Sequence, residues 1–201
     1  HPRDLALYPN EGMTNPPKAF RLHAVRDLRV PVGAVDDRGR DMADRIARLA
    51  RRYPDGFALA PFRGHAEMHT LTLDLGDLSQ MSHPVLLAHG WVDYAHSASN
   101  WAAFQRGLNL YPPRLEVADG EGGWRLLAAD MGCPAGLPKY MLFDLGGAAD
   151  SIFTDGDYRL RITTNTAVYW DRLAIGSATQ TPLTVHRQRP DEADLHWRGY
   201  P

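Results

Sequence analysis

The residues with the most chemical potential sit in two short stretches. The first is His65-Ala66-Glu67-Met68-His69. On a strand, side chains alternate between faces, so His65, Glu67 and His69 would share one face. Two imidazoles and a carboxylate are a facial metal-binding set. The spacing is not the helical His-Glu-x-x-His of zinc proteases, and the competing reading is a polar strand face. No bound metal and no cofactor are expected. The second stretch is Trp91 to Gln105, in which Asp93, Ser97, Ser99, Asn100 and Gln105 are interleaved with Trp91, Tyr94 and Trp101. Aromatic faces cover apolar sugar faces and Asn or Asp supply directed hydrogen bonds, so the set suits a carbohydrate. The same residues also suit a packed core and a polar turn. Tyr169-Trp170-Asp171 carries the same ambiguity, because alternation sends Tyr169 and Trp170 to opposite faces.

Nothing in the sequence marks a nucleophile. It contains no Gly-x-Ser-x-Gly elbow and no phosphate-binding glycine loop. Asp130, Asp144 and Asp171 are not spaced as a glycosidase pair. Cys133, the single cysteine, lies in the Gly/Pro-rich run 132–138, which reads as a rigid turn. The reading is therefore non-enzymatic.

These residues need a scaffold, and most of the chain reads as short strands. Pro84-Val85-Leu86-Leu87-Ala88 is apolar at consecutive positions, which predicts a strand covered on both faces. Leu71, Leu73 and Leu75 alternate with polar residues, as do Tyr158, Leu160, Ile162 and Thr164. Residues 114–118 and 124–128 flank Asp119-Gly120-Glu121-Gly122-Gly123 and predict a hairpin. Strands are also expected within 21–35, with Pro31 at an edge, and at 139–145, 166–175 and 183–186. Met42, Ile46, Leu49 and Tyr53 follow the helical period, predicting one amphipathic helix over 41–53. Its remaining surface holds Arg45, Arg48, Arg51 and Arg52, which is either a solvated face or a docking face for an acidic partner.

The expected fold is mainly β: a two-sheet antiparallel sandwich or jelly roll with one helix. It divides into an extended N-terminal arm (1–20), a sandwich domain (21–187) and an extended C-terminal tail (188–201). The arm and tail carry Leu5, Leu7, Tyr8, Leu195, Trp197 and Tyr200, apolar side chains on irregular segments that call for a surface to cover, here a partner protein.

The 201 residues hold 44% hydrophobic and 23% charged residues with a net charge of -2. That composition supports a sizeable core and gives no electrostatic case for nucleic acid. No apolar run approaches the ~18–20 residues of a spanning helix. The sequence starts at His1 without a signal-like segment, which suggests a processed or excised piece of a longer protein.

Several phrases carry a resemblance: LTLDLGDL (71–78), HGWVDYAHSASNWAAFQ (89–105), PPRLEV (112–117), GWRLLAADMGCPAGLPK (123–139), RLRITTN (159–165), YWDRLAIG (169–176) and ADLHWRG (193–199). From about Pro31 to Gly199 the chain resembles the C-terminal β-sandwich region of bacterial FG-GAP/UnbV-type repeat proteins, some of which carry tetratricopeptide repeats. The resemblance implies export to the periplasm or cell exterior. It also implies a binding or accessory role within a larger, membrane-associated assembly. It supplies no catalytic residues. The alternatives are a carbohydrate-binding module using the 91–105 loop, and a hydrolase on the same scaffold.

Overall fold

The computed structural model describes residues 6–9, 22–179, 184, 186, 188–197 and 199. Among the described residues, ten strands form two antiparallel five-stranded sheets. One sheet runs in the order β1 (Ala6–Pro9), β2 (Leu22–Arg29), β10 (Val168–Thr179), β5 (Pro84–Val92), β8 (Lys139–Asp144). The other runs β3 (Gly33–Asp36), β4 (His65–Asp74), β9 (Arg159–Thr166), β6 (Arg114–Ala118), β7 (Trp124–Ala128). The β-sandwich expectation holds. The described residues also form three short helices: α1 (Ala43–Ile46), α2 (Ser97–Gln105) and α3 (Ala149–Ile152).

The alternating leucines do what their period dictates. Leu71 and Leu73 of β4, Leu115 and Val117 of β6, and Leu160 and Ile162 of β9 point inward from one sheet. Leu86 and Ala88 of β5, Met141 of β8, and Trp170, Leu173 and Ile175 of β10 meet them from the other. The opposite face of the first sheet is also buried. Val85 and Leu87 join Leu142, Ala174 and Val25 in a second apolar cluster. The sheet curls around this cluster until the backbone of β1 comes within 8 Å of β8. The consecutive apolar residues of β5 are thus covered on both sides, as that run required. The β6–β7 hairpin is closed by Asp119, whose Oδ1 accepts from the backbone N–H of Glu121 and Gly123.

Three expectations need correction. The helix over 41–53 is one turn only, Ala43–Ile46. Met42 and Ile46 are buried, but Leu49 is half exposed, and Arg51 adopts the left-handed conformation (φ 54°). The backbone N–H groups of Ala50 and Arg51 turn instead to Asp171 Oδ1, at 3.1 and 2.6 Å. Repulsion between Arg48 and Arg52, four residues apart, adds to the cost of a longer helix. Conversely, 97–105 is a helix rather than a polar turn. His96 caps its start by accepting from Ser99 N–H, and Gly107 ends it with φ 75°. There Gly107 N–H donates to Phe104 O and Leu108 N–H to Ala103 O, the paired bonds of a Schellman stop. Finally, residues 6–9 of the expected N-terminal arm pair with β2 as a sheet edge. Of the proposed partner-contact residues, Leu5 and Tyr200 lie outside the described residues. Leu7 and Tyr8 are described as backbone in β1. Most of the strand expected at 183–186 also lies outside the described residues.

Candidate functional site

The face shared by His65, Glu67 and His69 does not form. Between His65 and His69 the chain advances four residues while its partner strand moves from Thr166 to Thr164. This irregularity breaks the alternation on which the shared face depended. His65 is buried, and its Nε2–H donates to Asn100 Oδ1 at 3.0 Å. His69 stacks on Phe57 with ring centroids 4.3 Å apart, and its Nδ1 bonds the Glu67 carbonyl oxygen. Burial pushes the His69 pKa below its ordinary value. Glu67 is exposed. Among the described residues no three His, Cys, Asp or Glu side chains gather to hold a metal ion.

The aromatic stretch from 91 to 105 separates into three environments, together with Tyr169-Trp170-Asp171. Trp170 is core, facing the second sheet. Its cross-strand partner is Gly90, where any Cβ would lie 2.5 Å from the Tyr169 carbonyl oxygen, so the pair packs only with glycine there. Trp91 and Tyr169 are cross-strand neighbours on the other face, stacked 4.5 Å apart with 11° between the rings. Tyr53 meets both rings edge-on, and Phe57 packs on Tyr169. These half-buried rings fasten the segment after α1 to the sheet. Asp171 is buried at a register shift in β10 and holds the backbone of Ala50 and Arg51, with its Oδ2 3.7 Å from His89 Nδ1. Its work is structural.

The third environment is α2, which leaves the end of β5 and is clamped from several sides. Asp93 pairs with Arg63 at 3.0 Å. Ser99 is buried, and its hydroxyl donates to the Arg63 carbonyl oxygen at 2.8 Å. Asn100 Nδ2 donates to Ala95 O while its Oδ1 receives His65. Gly64 closes the clamp in the left-handed region (φ 83°), where a Cβ would fall 2.4 Å from Ala95 N. Every polar residue from 93 to 100 that suggested sugar recognition, apart from exposed Ser97, is therefore spent on fixing α2.

What the clamp presents outward is apolar. Trp101 and Phe104 stack on the solvent side of α2, 5.9 Å apart and 61% and 60% exposed. Tyr94 is also exposed beside the start of the helix, and Ser97 and Gln105 are exposed on α2 itself. Phe104 was not singled out in the sequence, although its spacing of three from Trp101 places both on one helical face. Two open clefts, of about 420 and 490 Å³, lie on either side of Gly76–Asp77 and are not lined by these rings. Cys133 is half-buried, and burial beside Asp130 pushes its thiol up to about 12, which keeps it protonated at neutral pH. In the tail, Leu195 is fully exposed and Trp197 largely so. No helix among the described residues is long and apolar enough to cross a membrane. No family model, curated protein or solved structure matches this chain.

Proposed function

We propose that this chain is a non-enzymatic interaction module, an exported β-sandwich serving as accessory part of a larger protein assembly, with the outer side of α2 as its contact surface. One observation carries the reading. Trp101 and Phe104 are stacked and exposed on a helix that four side-chain contacts and a left-handed glycine hold in one orientation. A rigid pair of aromatic anchors loses little conformational freedom on docking, and such residues dominate interface energies. Export and membership of an assembly rest on the resemblance to the FG-GAP/UnbV-type sandwich region. The test is a photocrosslinking residue at position 105 in the native host. The expected result is one dominant crosslinked protein, lost in Trp101→Ala/Phe104→Ala while the melting temperature is unchanged. Crosslinking that is unaffected by the double substitution refutes the surface.

A carbohydrate is the second reading, because two adjacent exposed ring faces also suit stacking on sugar rings. It predicts retardation of the chain in gels containing a soluble polysaccharide, abolished by Trp101→Ala. Unchanged mobility across neutral and acidic glycans refutes it.

A further inference from the structure

We propose that the turn Arg48–Arg52 receives the acidic tail segment Asp191–Trp197 of a second copy of this chain. This surface is separate from the exposed rings of α2. Arg45 is occupied at home, donating to Tyr53 O at 2.8 Å and to Asp55 Oδ1 at 3.1 Å. Among the described residues, Arg48, Arg51 and Arg52 pair with no carboxylate. All three are exposed, and half-exposed Leu49 lies between them. The turn is not a loose loop. A buried carboxylate, Asp171, holds two of its backbone N–H groups and keeps Arg51 at φ 54°. A non-glycine residue is strained in that region and persists there only where its surroundings impose it. The turn is therefore a preorganised cationic surface with an apolar centre and, among the described residues, no carboxylate partner for Arg48, Arg51 or Arg52.

The tail has the complementary pattern. Asp191, Glu192 and Asp194 put three carboxylates within four residues, directly before Leu195 and Trp197. Asp194 is met by His196 within the tail, and Arg189 and Arg198 flank the run. Leu195 is fully exposed, so it is not buried on its own sandwich, and Trp197 is 72% exposed. Guanidinium forks match carboxylates bidentately, and a leucine beside a cluster of charges supplies the apolar anchor. Reciprocal exchange of tails between two copies makes both contacts equivalent and closes the assembly as a dimer.

Sedimentation of the full chain at low salt tests this. Exposed ion pairs with one apolar anchor imply a Kd on the order of 10–100 µM, so ~200 µM chain should sediment mainly as dimer. Raising ionic strength from ~0.01 to ~0.15 M shortens the screening length from about 30 to 8 Å and should weaken association at least about fivefold. Arg48→Glu/Arg52→Glu should be monomeric, as should Asp191→Arg/Glu192→Arg/Asp194→Arg. Mixing the two reversed variants should restore a heterodimer, and a synthetic peptide of residues 188–199 should dissociate the wild-type dimer. Trp101→Ala/Phe104→Ala should dimerise normally, which separates this contact from the α2 surface. A wild-type chain that stays monomeric at low salt, a dimer that survives either reversal, or a peptide without effect overturns the proposal.

Discussion

Asp171→Ala should unfasten the Arg48–Arg52 turn and destabilise the whole sandwich. The carboxylate is buried, and its Oδ1 accepts from Ala50 N–H and Arg51 N–H. Removing a buried acceptor costs about 1–3 kcal/mol for each donor left without a partner. Ala50 and Arg51 are exposed residues, so water can reach part of their backbone, which favours the lower end of that range. Release of the left-handed Arg51 returns some strain energy. Against this, the turn leads into Tyr53, whose edge-on packing on Trp91 and Tyr169 depends on where the turn ends. The net expectation is about 2–3 kcal/mol. For a domain of this size that is a fall of roughly 4–12 °C in melting temperature. Asp171→Asn retains an acceptor oxygen and should lose less than half as much. Urea unfolding followed by tryptophan fluorescence reports the free energy, and near-ultraviolet circular dichroism reports the Tyr53–Trp91–Tyr169 packing. An Asp171→Ala protein within about 0.5 kcal/mol of wild type, with an unchanged near-ultraviolet spectrum, would show that the turn holds itself.

Other consequences follow from the same geometry. Gly64→Ala places a methyl group 2.4 Å from Ala95 N at φ 83°, and should cost at least about 2 kcal/mol and detach α2, measured by thermal melting and by proteolysis after Arg106. Glu116 is buried, which by itself raises its pKa, but the bonds from Arg161 and Thr163 prevail and hold it below the ordinary carboxylate value. Its contribution is therefore complete above about pH 4.5 and fades as pH falls through the lower folded value; Glu116→Gln should flatten that acid limb of stability against pH. Burial lowers the His69 pKa, so the unfolded chain binds the proton more readily; stability is full above about pH 6.5 and declines below it, and His69→Gln should remove that decline in melts between pH 7.5 and 5.5.

The sandwich was legible because its signal is local and repeated. Leu71, Leu73, Leu160 and Ile162 alternate with polar neighbours, and the two-sided burial of β5 is written in its consecutive apolar residues. Asp119 to Gly123 announces a turn by composition alone. Two of the errors have tertiary causes that a local pattern does not carry. The helical stripe Met42–Ile46–Leu49–Tyr53 is cut after Ile46, and a carboxylate more than a hundred residues away takes the backbone donors of Ala50 and Arg51 that a longer helix would use. His65 and His69 fail to share a face because β4 is irregular where it meets β9. The missed helix is different. Its stop at Gly107 and its alanines at 98, 102 and 103 were present, but the Ser/Asn content of 97–100 read as a turn. Those side chains are occupied by His65, Arg63 and Ala95, partners invisible to any short window.

Four aromatic residues close in sequence to one another, or across one ladder, end in three different places. The difference is a matter of parity. Trp91 and Tyr169 face each other across β5 and β10, and their stack fills the end of the sheet's outer face. One residue further along β10, parity sends Trp170 into the core opposite Gly90. Trp101 escapes both fates because the strand has ended. The polar side chains that follow Trp91 turn the chain into α2, and on a helix whose inner side is taken by Ser99 and Ala103 the ring at 101 can only face outward. The burial of Ser99 and the exposure of Trp101 are therefore one event. A helix that spends its hydrogen-bonding residues on attachment and leaves two large rings in water invests its stability in display rather than in a core. That exposed pair is the ground on which the contact surface at α2 is proposed.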